Sequence, residues 1–279
     1  MKFWSSQSAP RAYDPSVRVP YLAVCACFQN EASYLREWVE FHLLVGVEQF
    51  FLYDNNSTDG AREVLEPYVE SGVVVLHDWP VWPKGQVPAY EHCLREHMHD
   101  ATWIAFIDLD EFLFSPTKQR VSDLMAGYHA WPGLAISGVM FGTSGHRRKP
   151  DGLVIENYVH RTADFRFNAA RKMVVRPPLV LGCVKNNPHQ FIFREGFPVD
   201  ENERHNTQYQ KSSSFHLFRI NHYWTKSEEE AEVKFARPRG DLGISRPWEE
   251  FLFTQERMNE MRDEEILHYL PDLRACMSR

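Results

Sequence analysis

The sequence is poor in cysteine, has no long apolar run and carries no surplus of positive charge. Its five cysteines (Cys25, Cys27, Cys93, Cys183 and Cys276) are odd in number and show no zinc-site spacing. Cys25 and Cys27 alternate along a predicted strand, so they need not pair, and the set reads as buried free thiols in a reducing compartment. The longest apolar stretch, residues 17–28, is far too short to span a bilayer and contains Arg18 and Pro20. The opening MKFWSSQSAPRAYDPS lacks the apolar core of a secretory signal and reads as a loosely ordered arm. Lys and Arg number 31 against 38 Asp and Glu, a net charge of −7. That balance argues against a nucleic-acid partner, because phosphate backbones are held by clustered cations. There is no internal repeat and no low-complexity linker. These absences predict a cytoplasmic protein, with a peripheral membrane contact left open.

The 279 residues are 43% hydrophobic and 25% charged, enough for one large domain or two small ones with a sizeable core. Aromatics reach 14%. Their default place is the core, although exposed ones line carbohydrate and base-binding clefts. VPYLAVCACF, residues 19–28, suits a strand buried on both faces. Asn30 reads as an N-cap with Glu31 in the first turn. Tyr34, Leu35, Trp38, Val39, His42 and Leu43 then recur at helical spacing until Gly46. A second strand, 47–53, leads into the turn DNNSTDG, where Ser57 or Thr58 caps another helix. A third strand at 73–76, a helix near 88–99 and a fourth strand in WIAFIDLDEFLF complete an alternation that signals a parallel α/β sheet. Strand-like pieces follow at 133–141, 173–181, 189–194 and 214–220. From Pro247 the chain reads as helix, with Phe251, Met258, Met261, Ile266 and Leu267 inward.

Ligands of open α/β sheets lie beyond the carboxyl ends of the strands. Phe28-Gln29-Asn30, Asp54-Asn55-Asn56 and Asp108-Leu109-Asp110 all fall at such ends and are predicted to meet on one rim. Two carboxylates at i and i+2 just past an apolar strand are costly to hold together unless a cation neutralises them. Magnesium or manganese takes carboxylate and phosphate oxygens together and can clamp a pyrophosphate. A solvated acidic strand end is an equally good account of the DxD triplet taken alone. Asp54 and the Gln29-Asn30-Glu31 segment are likewise open to plain turn and capping roles.

The blocks CFQNEASYLREWVEFHLLVGVEQFFLYDNNSTDG and WIAFIDLDEFLF resemble the GT-A glycosyltransferases, and among them family 92 and its bacterial relatives. The likeness continues through FGTSGH, KMVVRP and NHYWTKS and so covers most of residues 20–240. It implies a GT-A type α/β fold with a Rossmann-like, mostly parallel sheet in a single globular domain. An arm (1–18) would precede a nucleotide-sugar-binding half (19–115), an acceptor-side half (116–246) and a C-terminal helical segment (247–279). It implies transfer of a sugar, with galactose the guess, from a UDP-sugar to a glycan or other hydroxyl acceptor with inversion, using manganese or magnesium. By the resemblance Asp54 contacts uracil or ribose, Asp108 contacts the ribose, and Asp110 and His222 ligate the metal. Read from the residues, a lone His after the alternating FHLFRI is equally a structural histidine.

Asn30, Glu31, Lys84, Lys226 and Arg239 are the further donor-side candidates, with Lys172, Lys234 and Arg237 near them. A protein with surplus acid needs local cations to hold a diphosphate. An inverting transfer needs a carboxylate base. Glu156, inside the apolar stretch 153–159, is preferred over Asp164, Glu195 and Asp200. Two other classes compete. FIDLDEF superficially resembles the haloacid-dehalogenase phosphohydrolases, although Glu111 and Phe112 stand where those enzymes carry Gly and a small hydroxyl residue. A non-catalytic nucleotide-sugar or glycan-binding module is the other.

Overall fold

The computed structural model describes residues 18–164, 171–205, 214–238 and 243–279. The expected alternation opens the chain: β1 (Leu22–Phe28), α1 (Ala32–Leu44), β2 (Gln49–Asp54), α2 (Ala61–Glu70), β3 (Val74–Asp78), α3 (Gln86–Glu96) and β4 (Trp103–Phe106). β1 runs parallel to both β2 and β4, and β2 runs parallel to β3. Leu22, Val24, Ala26 and Phe28 of β1 face a core shared with Trp38 and Val39 of α1 and Leu65 of α2. Ala23 and Cys25 face the opposite core, with Ala89, Tyr90 and Cys93 of α3. Burial on both faces is why this strand reads as an unbroken apolar run. All five cysteines are free thiols, and Cys25, Cys93 and Cys183 are buried.

Beyond β4 the sheet becomes mixed. The remaining elements are β5 (Glu111–Phe114), α4 (Val121–Met125), β6 (Gly133–Met140), α5 (Val154–Asn157), β7 (His160–Arg161), β8 (Arg171–Val175), β9 (Val180–Val184), β10 (Asn187–Phe193), β11 (Arg219–His222), α6 (Glu228–Ala236), α7 (Trp248–Gln255), β12 (Met261–Arg262) and α8 (Leu270–Met277). The main sheet has eight strands in the order β3-β2-β1-β4-β8-β6-β11-β5. β8 is antiparallel to β4 and β6, and β11 is parallel to β6 and antiparallel to β5. The second half of the chain therefore extends the sheet that the first half begins. β9 and β10 form an antiparallel hairpin whose Val180, Cys183 and Phe191 pack into the core beneath α3.

Several local expectations change. The segment 103–114 holds two strands, not one. β4 stops at Phe106, the acidic turn follows, and β5 departs to the far edge of the sheet. Asn30 does not cap α1. Its φ of 57° is left-handed, and Glu31 occupies the N-cap position without a side-chain bond. The Asn30 side chain instead takes the Thr58 N–H at 2.7 Å, while the Asn30 N–H donates to Ser57 Oγ at 2.9 Å. Ser57 and Thr58 are thus spent tying the ends of β1 and β2 together, and α2 starts from Gly60 at φ 83°. The apolar stretch that carries Glu156 forms one helical turn at residues 154–157. Met261 is exposed in the short β12, whereas Phe251, Met258 and Ile266 are buried as expected. Among the described residues, no helix is long and apolar enough to cross a membrane.

Candidate active site

The three strand ends meet as predicted. Phe28 and Gln29 at the end of β1, Asn55 after β2, and Asp108, Leu109 and Asp110 after β4 line one cleft of about 590 Å³. Gln29 donates to the Asn55 carbonyl at 2.7 Å, and the Asn55 amide donates to the carbonyls of Trp79 at 2.6 Å and Val81 at 2.8 Å. These bonds brace one side of the cleft and fix the loop that presents Trp82 to it. α6 also contributes to the cleft. A Ser227–Glu230 capping box starts it, and it carries Lys234 to the cleft, where Arg237 and Arg246 also lie.

The acidic turn is held by an alternating chain of charges. Gln86 at the start of α3 donates to Asp108 Oδ1 at 2.6 Å. Lys172 Nζ, from the central β8, lies 2.5 Å from Asp108 Oδ2 and 3.1 Å from Glu111 Oε2. His222 Nε2 stands 3.3 Å from Asp110 Oδ1, and Lys234 Nζ stands 2.7 Å from Asp110 Oδ2. Burial works to raise the Asp110 carboxyl, but Lys234 and His222 outweigh it and hold the group well below the usual carboxylate range. Burial works to lower the His222 imidazole, but Asp110 and Glu111 overcome it and lift the ring above its ordinary value. Three carboxylates are therefore held at one turn because cations from three other elements reach it.

Asp110 and His222 are adjacent, and both line the cleft. Among the described residues no group of three or more His, Cys, Asp or Glu side chains is arranged to hold a metal by itself. Magnesium and manganese do not require one. Such ions commonly take one or two protein ligands and complete their shell with substrate phosphates and water. One carboxylate and one imidazole beside a basic wall fit that requirement.

The other candidates separate into lining and non-lining residues. Glu31 lines the cleft. Asp54 is buried behind it, accepting the Ser57 N–H at 2.9 Å and pairing with Arg62 at 3.1 Å, and its neighbour Asn55 takes the lining position. Asn30 is occupied by the loop staple and does not line the cleft. Lys84 is exposed in a left-handed turn, and Gly85 and Gln86 line the cleft in its place. Lys226 is buried, with its ammonium 3.9 Å from the centre of the Tyr34 ring. Arg239 lies outside the described residues. Glu156 sits away from the cleft, its Oε2 taking the Arg274 guanidinium at 2.6 Å. The apolar residues around it turn inward on a helical turn, so the acid between them points to Arg274 and not to substrate. Asp164, Glu195 and Asp200 do not line the cleft either.

Sequence reasoning missed Gln86, Glu111, His189 and Arg246 as site residues. Glu111 left a trace, being an acid that opens an otherwise apolar strand. His189 left none, because only the hairpin of β9 and β10 brings it to the cleft.

The model of glycosyltransferase family 92 matches residues 21–275. A glycosyltransferase family 92 protein of Oryza sativa subsp. japonica is 35% identical over 179 residues, covering 63% of this chain and 30% of that protein. A galactan beta-1,4-galactosyltransferase of Arabidopsis thaliana is 25% identical over 201 residues, covering 66% of this chain and 37% of that protein. The chain spans about a third of the length of the curated relatives it matches. Among solved structures, S. aureus TarS 1-349 in complex with UDP is similar at a TM-score of 0.40 and 16% identity, covering 57% of this chain and 47% of that one. With the motif blocks, the α/β sheet and the acidic cleft all in place, and the match running over residues 21–275, the chain belongs to glycosyltransferase family 92.

Proposed function

We propose that this protein transfers a sugar from a UDP-sugar to a hydroxyl of a glycan acceptor, with a divalent ion at Asp110 and His222. The observation that carries this reading is the position of Asp108 and Asp110 at the carboxyl end of β4, lining a cleft that Lys234, Arg237 and Arg246 also line, with Lys234 2.7 Å from Asp110. An acidic turn that holds a cation, with basic side chains in the same cleft, is complementary to a metal diphosphate. The nucleoside then lies along Gln29, Asn55 and Trp82, with Asp108 at the ribose. A bound magnesium or manganese ion supplies charge stabilisation for the departing nucleoside diphosphate. Lys234 and the two arginines share that load as charge-assisted donors. Galactose as the transferred sugar is supported by relatives named as galactan beta-1,4-galactosyltransferases. In an inverting reaction the acceptor's proton goes to a group that faces the cleft, which favours Glu31 or His189 over Glu156.

Donor hydrolysis and transfer, measured with a panel of UDP-sugars in the presence of manganese, test the proposal. Turnover is expected with UDP-galactose and is expected to fall about 10²- to 10³-fold in Asp110→Asn, about 2.7–4 kcal/mol of barrier, since one preorganised electrostatic contact is commonly worth that much. Unchanged turnover in Asp110→Asn overturns the site.

A further inference from the structure

The hairpin of β9 and β10 packs apolar side chains into the core and sends a polar tip to the cleft. Val180, Cys183 and Phe191 anchor it, with the ring centres of Phe191 and Phe106 4.8 Å apart. Asn186, Asn187, Pro188 and His189 line the cleft. The hairpin is irregular at the place where it meets the cleft. Val184 pairs with Asn187, and the preceding residue, Cys183, pairs with Phe191. Residues 188–190 are passed over in that register and form a bulge. Pro188 has no N–H to give to a strand ladder. Bulges re-aim side chains and are over-represented beside active sites.

Turn geometry accounts for some of these polar residues and not for others. Asn186 has a φ of 58°, a left-handed conformation that asparagine tolerates, so its place in the turn needs no ligand. Asn187 accepts the His189 N–H on its side-chain oxygen at 2.9 Å. Its amide nitrogen has no hydrogen-bond partner among the described residues. The His189 ring bonds to the Arg171 backbone and lies close enough to Lys172 and Asp108 to feel both charges. That sets it by β8, the strand beside β4 in the sheet. A UDP-sugar with its nucleoside on β2 and β1 and its ribose at Asp108 carries its diphosphate, and then its sugar, beyond β4. We infer that Asn187 and His189 read hydroxyls of the transferred sugar and so set which UDP-sugar is used. Pyranose hydroxyls both donate and accept, and amide and imidazole groups match those roles. A site that bonds a substrate hydroxyl discriminates strongly against an analogue lacking it, because its own polar groups are then left unpaired. The inference rests on the cleft being a nucleotide-sugar site. It gives His189 to the sugar and so leaves Glu31 as the cleft-facing group for the acceptor's proton.

Donor hydrolysis by water, with manganese present and no acceptor, tests the inference. Rates are compared for the UDP-sugar that the wild type uses best and for its analogues lacking one hydroxyl each. The variants are His189→Ala and Asn187→Ser, whose hydroxyl can still take the His189 N–H. Calorimetric titration of UDP reports on folding and on the nucleotide site. Both variants are expected to bind UDP as the wild type does. Each is expected to lose about tenfold in kcat/KM for the full sugar, the worth of one hydrogen bond between neutral groups. For one analogue that loss is expected to vanish, because the hydroxyl that the side chain reads is already gone. A loss that is the same for every analogue overturns the inference, and so does an unchanged kcat/KM. UDP binding weakened in proportion to the lost rate also overturns it, by putting the tip on the nucleotide. A wild type that neither binds UDP nor hydrolyses any UDP-sugar brings down the nucleotide-sugar reading itself, and the role of the tip with it.

Discussion

Lys172 shows how much of this site rests on single residues. Its ammonium is nearly inaccessible and is shared by Asp108 and Glu111, from a strand more than sixty residues further along the chain. Burial works to lower it, and the two carboxylates overcome that and hold it above the ordinary lysine range. Lys172→Met removes the cation and leaves both acids facing each other. Breaking a buried pair from one side costs about 3–5 kcal/mol, so a loss of that order is expected in urea unfolding. Glu156 is the contrasting case. Its partner Arg274 is largely exposed, and such pairs are worth about 0.2–1 kcal/mol. Glu156→Gln is expected to keep full turnover in a donor-transfer assay and to change stability by no more than that amount. A loss of turnover would return Glu156 to the list of bases. The sequence could rank neither residue. Lys172 reads as a cation before a strand and Glu156 as an acid among apolar neighbours, and the partner of each is distant in the chain.

At the scale of elements, helix ends are bound by acids from other elements. Glu37 of α1 accepts the Val154 N–H at 2.8 Å and the Ile155 N–H at 3.1 Å, satisfying donors that the first turn of α5 cannot bond internally. Burial pushes Glu37 up to about 7 against an ordinary value of 4.5, with the two N–H groups pulling the other way. The folded chain therefore binds this proton more tightly than the unfolded chain does. Its contribution to stability is complete below about pH 4.5 and is lost as the pH rises towards 7. Glu37→Gln cannot ionise. The stability difference between variant and wild type should move in the variant's favour across that window, read from urea midpoints at its two ends. A difference that stays flat with pH would show that Glu37 is not ionising there. Elements were also where the sequence was most and least legible. β1 to β4 declared themselves by apolar runs and turn residues. β5 did not, because EFLF follows β4 so closely that only its pairing with β11 reveals a separate strand. Nor did Asn30, whose residue type suits a cap but whose left-handed backbone serves a loop staple.

At the scale of the molecule, the cleft joins the strand ends of the first half to α6 and the β9–β10 hairpin of the second. A ligand that fills it contacts both halves and binds only the folded chain. Apparent stability should then rise with ligand, by about 2.7 kcal/mol at a hundredfold excess over Kd. In a thermal-shift series, UDP and manganese together are expected to raise Tm more than the sum of the two alone, because each supplies ligands to the other. Equal shifts with and without manganese would detach the metal from the nucleotide site. The buried thiols show the same dependence on the whole: Cys25, Cys93 and Cys183 come from β1, α3 and β9 and meet in one core.

By itself the sequence determined the parallel α/β frame, the meeting of three strand ends and the acidic turn at their rim. Those features follow from local pattern, since apolar runs of strand length and Asx-rich turns carry their own geometry. It also carried the family, because the motif blocks are specific in combination. Only the tertiary structure decided which polar residues face the cleft. Asn55 replaced Asp54, Gln86 replaced Lys84, and Glu156 turned to Arg274. Facing is set by side-chain direction and by partners far along the chain, neither of which a local pattern encodes. Asp108 and Asp110 were visible as a pair from the start. Their division into a turn anchored by Lys172 and Glu111 and a carboxylate shared by His222 and Lys234 required β8, β11 and α6 to arrive from the other half of the protein.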